Sequence, residues 1–187
     1  SKAMVFVPTW DGLHAVRSKD GVETWSRSWP GYGYETPPAL SPDGAALYVV
    51  SRDLPSTRDK ADAPARQYYI KALRATDGRE LWRTPITGTS LGPSPGVSAD
   101  GSVVYATMGE GLLVALDAKS GRQLWQSAMV ARSNLPPVSS ADGATVFAVS
   151  DTEHFTVQDA KLLHAFRASD GQQLWRIETL HVSPDFP

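Results

Sequence analysis

The residues able to do chemistry are few and scattered. The four histidines are His14, His154, His164 and His181, and no pair has the close spacing of helix-borne zinc ligands. Serine, histidine and aspartate are all present, yet no nucleophile-elbow signature carries them, so a triad is no better than chance. Cysteine is absent, which rules out disulfides, thiolate catalysis and zinc–cysteine sites. Gly31-Tyr32-Gly33 is not followed by a helical pattern and is no phosphate loop. Asp20, Asp77 and Asp170 each precede a glycine and read as turn residues. These patterns assign no catalytic, cofactor-binding or metal-ligating residue.

What remains suits contact better than catalysis. Trp29, Tyr32 and Tyr34 form an aromatic group that either packs against neighbouring structure or meets a protein, since tryptophan and tyrosine are enriched in interaction hot spots. Arg52, Arg58 and Arg66 are interspersed with acids in the polar stretch RDLPSTRDKADAPARQ and read as a solvated face, with partner contact as the functional alternative.

Composition narrows the classes. The 187 residues, 41% of them hydrophobic, can bury a sizeable core. The longest apolar runs, Ala45 to Val50 and Leu112 to Leu116, fall far short of the roughly 20 residues of a membrane-spanning helix. A formal charge of −2 with no basic block argues against nucleic acid as a partner. Ser1-Lys2-Ala3-Met4 runs straight into a short apolar stretch without the sections of a signal peptide, as expected of a mature product or an excerpt of something longer. Compartment stays open.

The elements that must position these residues announce themselves by repetition. Ala15 to Trp25 reads AVRSKDGVETW, Ala72 to Trp82 ALRATDGRELW, Ala115 to Trp125 ALDAKSGRQLW and Ala165 to Trp175 AFRASDGQQLW. In all four, glycine stands four residues before tryptophan, at Gly21, Gly78, Gly121 and Gly171. Fixed spacing of this kind marks an internal repeat. Ahead of each copy lies a β-type run with an aromatic, at Phe6, Tyr48, Tyr105 or Phe147. Ahead of the last three runs comes a Pro-flanked extended piece and an Asp-Gly turn, as in Pro37 to Gly44. The unit is thus four strands: A (short), B (aromatic), C (alanine) and D (tryptophan). Tryptophans 57, 43 and 50 residues apart match a four-stranded meander with loops of differing size, and no helical periodicity competes.

In a meander the A–B and C–D turns share one edge, while B–C and D–A connections share the other. The long stretches Arg52 to Gln67 and Asp151 to Lys161, and the aromatic group at 29–34, therefore fall on the second edge. One such sheet cannot bury both faces alone, so copies must stack, and radial stacking gives a β-propeller. The tryptophan is expected to close the seam between neighbouring blades, and the alanine to leave room for close packing.

The phrase ALDAKSGRQLW resembles the PQQ-like repeat of propellers related to quinoprotein alcohol dehydrogenases, and its four copies carry the resemblance along essentially the whole chain. WD-repeat propellers fit less well, because Trp10-Asp11 does not recur. The resemblance implies an all-β propeller of about four blades in this chain, either closed on itself or half of, or part of, a larger ring, with units near 1–30, 31–87, 88–130 and 131–180. The first unit lacks strand A, and His181 to Asp185 aligns with Ala39 to Asp43; residues 181–187 are expected to complete the first blade or a partner's. The family's quinone and calcium ligands match no residue here, so no cofactor is carried over. The resemblance favours a non-catalytic protein-interaction scaffold or binding domain, its partners a protein, a second copy or remaining blades. The alternative is a portion of a PQQ-dependent dehydrogenase.

Overall fold

A computed structural model describes residues 3–9, 11–28, 34–53, 67–87, 92–108, 111–151 and 161–179. Among these residues the secondary structure is β-strand joined by turns and bends, and no helix is long and apolar enough to cross a membrane. Alternation along each strand, closed by Asp-Gly and Ser-Gly turns, produces four antiparallel sheets.

The first sheet holds β1 (Met4–Pro8), β2 (Gly12–Arg17) and β3 (Glu23–Ser28). The second holds β4 (Tyr34–Glu35), β5 (Ala39–Leu40), β6 (Ala46–Asp53), β7 (Gln67–Arg74) and β8 (Glu80–Ile86). The third runs from β9 (Gly96–Val97) through β10 (Val103–Met108) and β11 (Leu112–Asp117) to β12 (Gln123–Ala128). The fourth runs from β13 (Val138–Ser139) through β14 (Thr145–Asp151) and β15 (Lys161–Arg167) to β16 (Gln173–Thr179). The A–D meander is therefore present in three sheets, and the first lacks its A strand among the described residues.

One element departs from the expectation. Tyr34–Glu35, anticipated as part of a D–A loop, pairs with Arg52 and Ser51 as a short extra strand on β6. The sixteenth strand thus comes from this pairing, whereas the segment 181–185 expected to supply it lies outside the described residues.

The register explains the repeated residue types. In each sheet the B-strand aromatic, the C-strand alanine and the D-strand tryptophan lie directly abreast: Phe6–Ala15–Trp25, Tyr48–Ala72–Trp82, Tyr105–Ala115–Trp125 and Phe147–Ala165–Trp175. The two rings meet across the alanine methyl with centroids 5.9 to 6.0 Å apart and tilted planes. A larger residue in the middle would hold them apart, and all four alanines are fully buried. A bulge follows each alanine, where the ladder slips by one before the C–D turn.

Each sheet has an aromatic face and an opposite aliphatic face, and the aromatic face of one packs on the aliphatic face of the next. Tyr48, Ile70 and Trp82 of the second sheet meet Val104, Ala106, Val114 and Leu116 of the third. Tyr105, Leu113 and Trp125 of the third meet Val146, Ala148 and Phe166 of the fourth. Phe6, Leu13 and Trp25 of the first meet Leu47, Leu73 and Ala75 of the second. The A strands lie side by side where the sheets converge, close enough that a methyl group at Gly96 would strike the Pro137 carbonyl.

Candidate functional site

The repeat's own polar residues are committed to structure. Asp20, Asp77 and Asp170 accept the N–H two residues on, from Val22, Arg79 and Gln172, and pair with Arg17, Arg74 and Arg167 three residues back. In the A–B turns Ser41, Ser98 and Ser140 donate to Asp43, Asp100 and Asp142. Asp100 gains further bonds from the Ser102 backbone and hydroxyl, and the donors together, led by Ser98, hold its carboxyl at a pKa of about 2.

The tryptophan seam takes a specific form. The Trp25 indole N–H donates to the Ala75 carbonyl at 3.0 Å, Trp82 to Ala118 at 3.0 Å and Trp125 to Ala168 at 2.8 Å. Each acceptor belongs to the C–D turn of the following sheet. Two residues beyond the tryptophan, Arg27, Thr84 and Ser127 donate to the glycine carbonyls of the same turns, at Gly78, Gly121 and Gly171. Those glycines have φ between 69° and 74°, and a methyl group on them would run into the docked indole. Glycine is thus required twice over, by the left-handed turn and by the ring above it.

At the two ends this seam has no counterpart among the described residues. Trp175 is 43% exposed against 9% for Trp125, and its neighbour Ile177, 53% exposed, replaces the donor found in the other copies. At the opposite end, Gly21 has the same φ of 69° but nothing within 4 Å of where a side chain would begin. The aliphatic face of the first sheet is bare as well. Val5 and Val7 are 46% and 40% exposed, whereas their equivalents Leu47 and Val49 are fully buried.

Two histidine groups come nearest to a chemical site. Ser150 Oγ lies 2.9 Å from His164 Nε2, and His164 Nδ1 lies 3.3 Å from Gln173 Oε1. The histidine is completely buried between the third and fourth sheets, and burial pushes its pKa down, with Arg176 adding to the effect. It is a neutral, sealed polar pair that no substrate can reach. His14, on the open face of the first sheet, has Nδ1 2.7 Å from Glu23 and Nε2 3.5 Å from Asp11. The Glu23 hydrogen bond chiefly raises its pKa and lowers that of Glu23. His154 and His181 lie outside the described residues.

Among the described residues no three His, Asp or Glu side chains converge as a metal site would require.

Of the residues singled out for partner contact, Tyr34 and Arg52 are brought opposite one another on β4 and β6. Trp29, Tyr32, Arg58 and Arg66 lie outside the described residues. Arg52 sits at the end of the second sheet that carries the insertion, opposite Tyr68, and its Nε is buried with no described hydrogen-bond partner. Beside it Tyr69 has the Lys71 ammonium 5.7 Å and the Arg83 guanidinium 5.4 Å from its ring centre. Sequence reasoning passed over Tyr69; its place just after the inserted loop was the available signal, whereas its neighbour Tyr68 is buried in the core.

Comparison with known proteins fits this geometry. A curated protein from Yersinia pestis, "Outer membrane protein assembly factor BamB", is 28% identical over 123 residues, covering 62% of this chain and 29% of that protein. Among solved structures, BamB from Moraxella catarrhalis superposes with a TM-score of 0.59 at 21% identity, over 95% of this chain and 48% of the other. Hydrazine synthase from Kuenenia stuttgartiensis superposes with a TM-score of 0.69 at 14% identity, over 95% of this chain and 46% of the other. The chain thus spans less than half the length of these relatives, and the two structural likenesses establish the propeller fold. The family PQQ_2, described as "Outer membrane protein assembly factor BamB", matches residues 66–179. With three of the four repeats inside that match and the same repeat architecture running through all four sheets, this chain belongs to the PQQ_2 family of PQQ-like β-propellers.

Proposed function

We propose that this chain is a non-catalytic propeller segment that holds protein partners on its loop-bearing edge. The observation that carries the reading is the contrast between the two edges of the sheets. On the edge of the Asp-Gly turns, side chains and backbone groups are consumed by turn hydrogen bonds and seams. On the other edge Arg52 and the half-buried Tyr69 lie beside the start and end of the long insertion, and tyrosine and arginine are the residue types that anchor protein interfaces. The family's description as an assembly factor supports a role in bringing proteins together.

Site-specific photocross-linking tests the reading. A photoreactive residue at Arg52 should yield discrete protein adducts in whole-cell extract, and one at Lys119, in a C–D turn on the opposite edge, should not. Adducts should be lost when residues 54–66 are deleted. Equal adducts at the two positions, or none at Arg52, would refute the assignment.

A further inference from the structure

Building on the loop edge as the contact edge, we propose that Arg52 anchors its protein partner by a carboxylate, the side chain of a glutamate or aspartate. Arg52 carries a charge that the described part of the chain leaves uncompensated. The other partly buried cations have counterions: Arg27 lies 3.0 Å from Glu80, Arg74 3.0 Å from Asp77 and Lys161 2.5 Å from Asp151. No hydrogen bond or ion pair reaches the Arg52 guanidinium from any described residue, and its Nε is shut off from water as well. The terminal nitrogens are not closed off in this way, and the residue is only partly buried, so the fork is open at the loop edge. A guanidinium does not give up its proton in a protein, so burial cannot neutralise it. Its desolvated side is stabilised by an acceptor, and best by an anion.

The repeat shows which group is missing. Arg52 in the second sheet and Asp151 in the fourth both stand four residues beyond the B-strand aromatic, and Tyr68 and Lys161 stand directly across from them on strand C. In the fourth sheet the two residues are opposite charges in contact, and the Asn134 amide donates a further hydrogen bond to Asp151 at 3.2 Å. In the second sheet the place across from Arg52 is held by an uncharged tyrosine, buried in the core with Ile70 and Ile86. A partner's carboxylate would do for Arg52 what Asp151 does for Lys161. Its two oxygens match the two terminal nitrogens in parallel charge-assisted hydrogen bonds. The row in which Arg52 stands continues through buried Tyr68 and Ile86, and an apolar setting strengthens such a pair over one on an open surface. Glutamine, of the same shape, offers one acceptor oxygen and no charge, so this edge tells glutamate from glutamine.

Nuclear magnetic resonance titration of the intact chain with acetyl-capped tetraglutamate, and separately with tetraglutamine, tests this. Tetraglutamate should bind at least about tenfold more tightly and move the Arg52 Nε–H resonance, which is identified by its loss in R52Q. The preference should disappear in R52Q and persist in R122Q, which changes an exposed arginine in a C–D turn on the opposite edge. R52K keeps the charge and loses the fork, so it should retain only part of the preference. The amide spectrum of each variant shows that it is folded. Equal affinity for the two peptides, a preference that survives in R52Q or is abolished equally by R122Q, or full retention in R52K would each overturn the proposal. So would inorganic phosphate that moves the Arg52 resonance at concentrations as low as the peptide does, since the site would then be one for a free anion. Cross-linking in extract and titration with defined peptides fail separately: missing adducts refute the scaffold reading, whereas adducts at Arg52 without a glutamate preference refute the carboxylate anchor alone.

Discussion

Replacing Trp125 by alanine, with Trp175→Ala as its comparison, measures what one blade seam contributes. The two residues share sequence context and stack on an equivalent aromatic, Tyr105 or Phe147, at nearly equal distance. They differ in what lies beyond: Trp125 is 9% exposed and bonded to Ala168, whereas Trp175 is 43% exposed. On about 200 Å² of side-chain surface the difference is roughly 70 Å², or about 2 kcal/mol at 25 cal/mol per Å². The indole hydrogen bond adds about 1 kcal/mol. Trp125→Ala should therefore lose about 3 to 5 kcal/mol in total, and Trp175→Ala some 2 to 3 kcal/mol less. Urea unfolding at dilute, single-copy concentration checks this, with the midpoint falling further for Trp125→Ala at unchanged slope. Equal losses, or a larger loss at Trp175, would refute the idea that the seam to the next sheet supplies the stability.

The turn glycines give a matched pair: Gly143→Ala meets open space and should cost about 1 to 2 kcal/mol for its left-handed φ alone, whereas Gly121→Ala must also displace Trp82 and should cost visibly more by urea midpoint. His164 is held neutral by burial, so the unfolded chain binds its proton more readily. Stability should fall as pH drops below the ordinary histidine value of about 6.5, and the slope should flatten in His164→Gln. Asp100 acts in the same direction at lower pH, because its pKa is also lowered in the folded chain: its contribution is complete above pH 3.8 and should vanish as pH falls to about 2, a step absent from the unfolding curves of Asp100→Asn. Addition of PQQ and calcium should give no dye reduction with alcohols or sugars; clear turnover would overturn the non-catalytic reading.

Much of this fold was legible because the seam writes itself into the sequence. An indole that docks on a turn needs glycine beneath it, and two rings that meet across a strand need alanine between them, so Ala115, Gly121 and Trp125 recur at fixed spacing. The partnership of Phe6 with Trp25, or Tyr48 with Trp82, was less visible, since registering strands B and D requires knowing the lengths of both turns. Tyr34–Glu35 escaped as a strand because two residues leave no periodicity to read. The difference between Trp125 and Trp175 could hardly be seen: the repeats that end on them are alike, and it is chiefly the following sheet that separates them. Ile177, in place of the polar donors Arg27, Thr84 and Ser127, was the single local hint. Tyr69, on the proposed contact edge, was harder still, because it looks like an ordinary strand residue until β6 and β7 are laid side by side.

The seam bonds all point the same way, from the tryptophan of one sheet to the turn of the next. This gives the chain a direction in which it must mature during synthesis. An emerging sheet leaves its indole waiting until the following thirty to fifty or so residues supply a turn, whereas loss of the sheet ahead uncovers aliphatic side chains such as Leu47 and Leu73. Removing the fourth sheet should therefore bare the Trp125 ring and leave its indole N–H without its acceptor, whereas removing the first should bare an aliphatic face with no indole left unpaired.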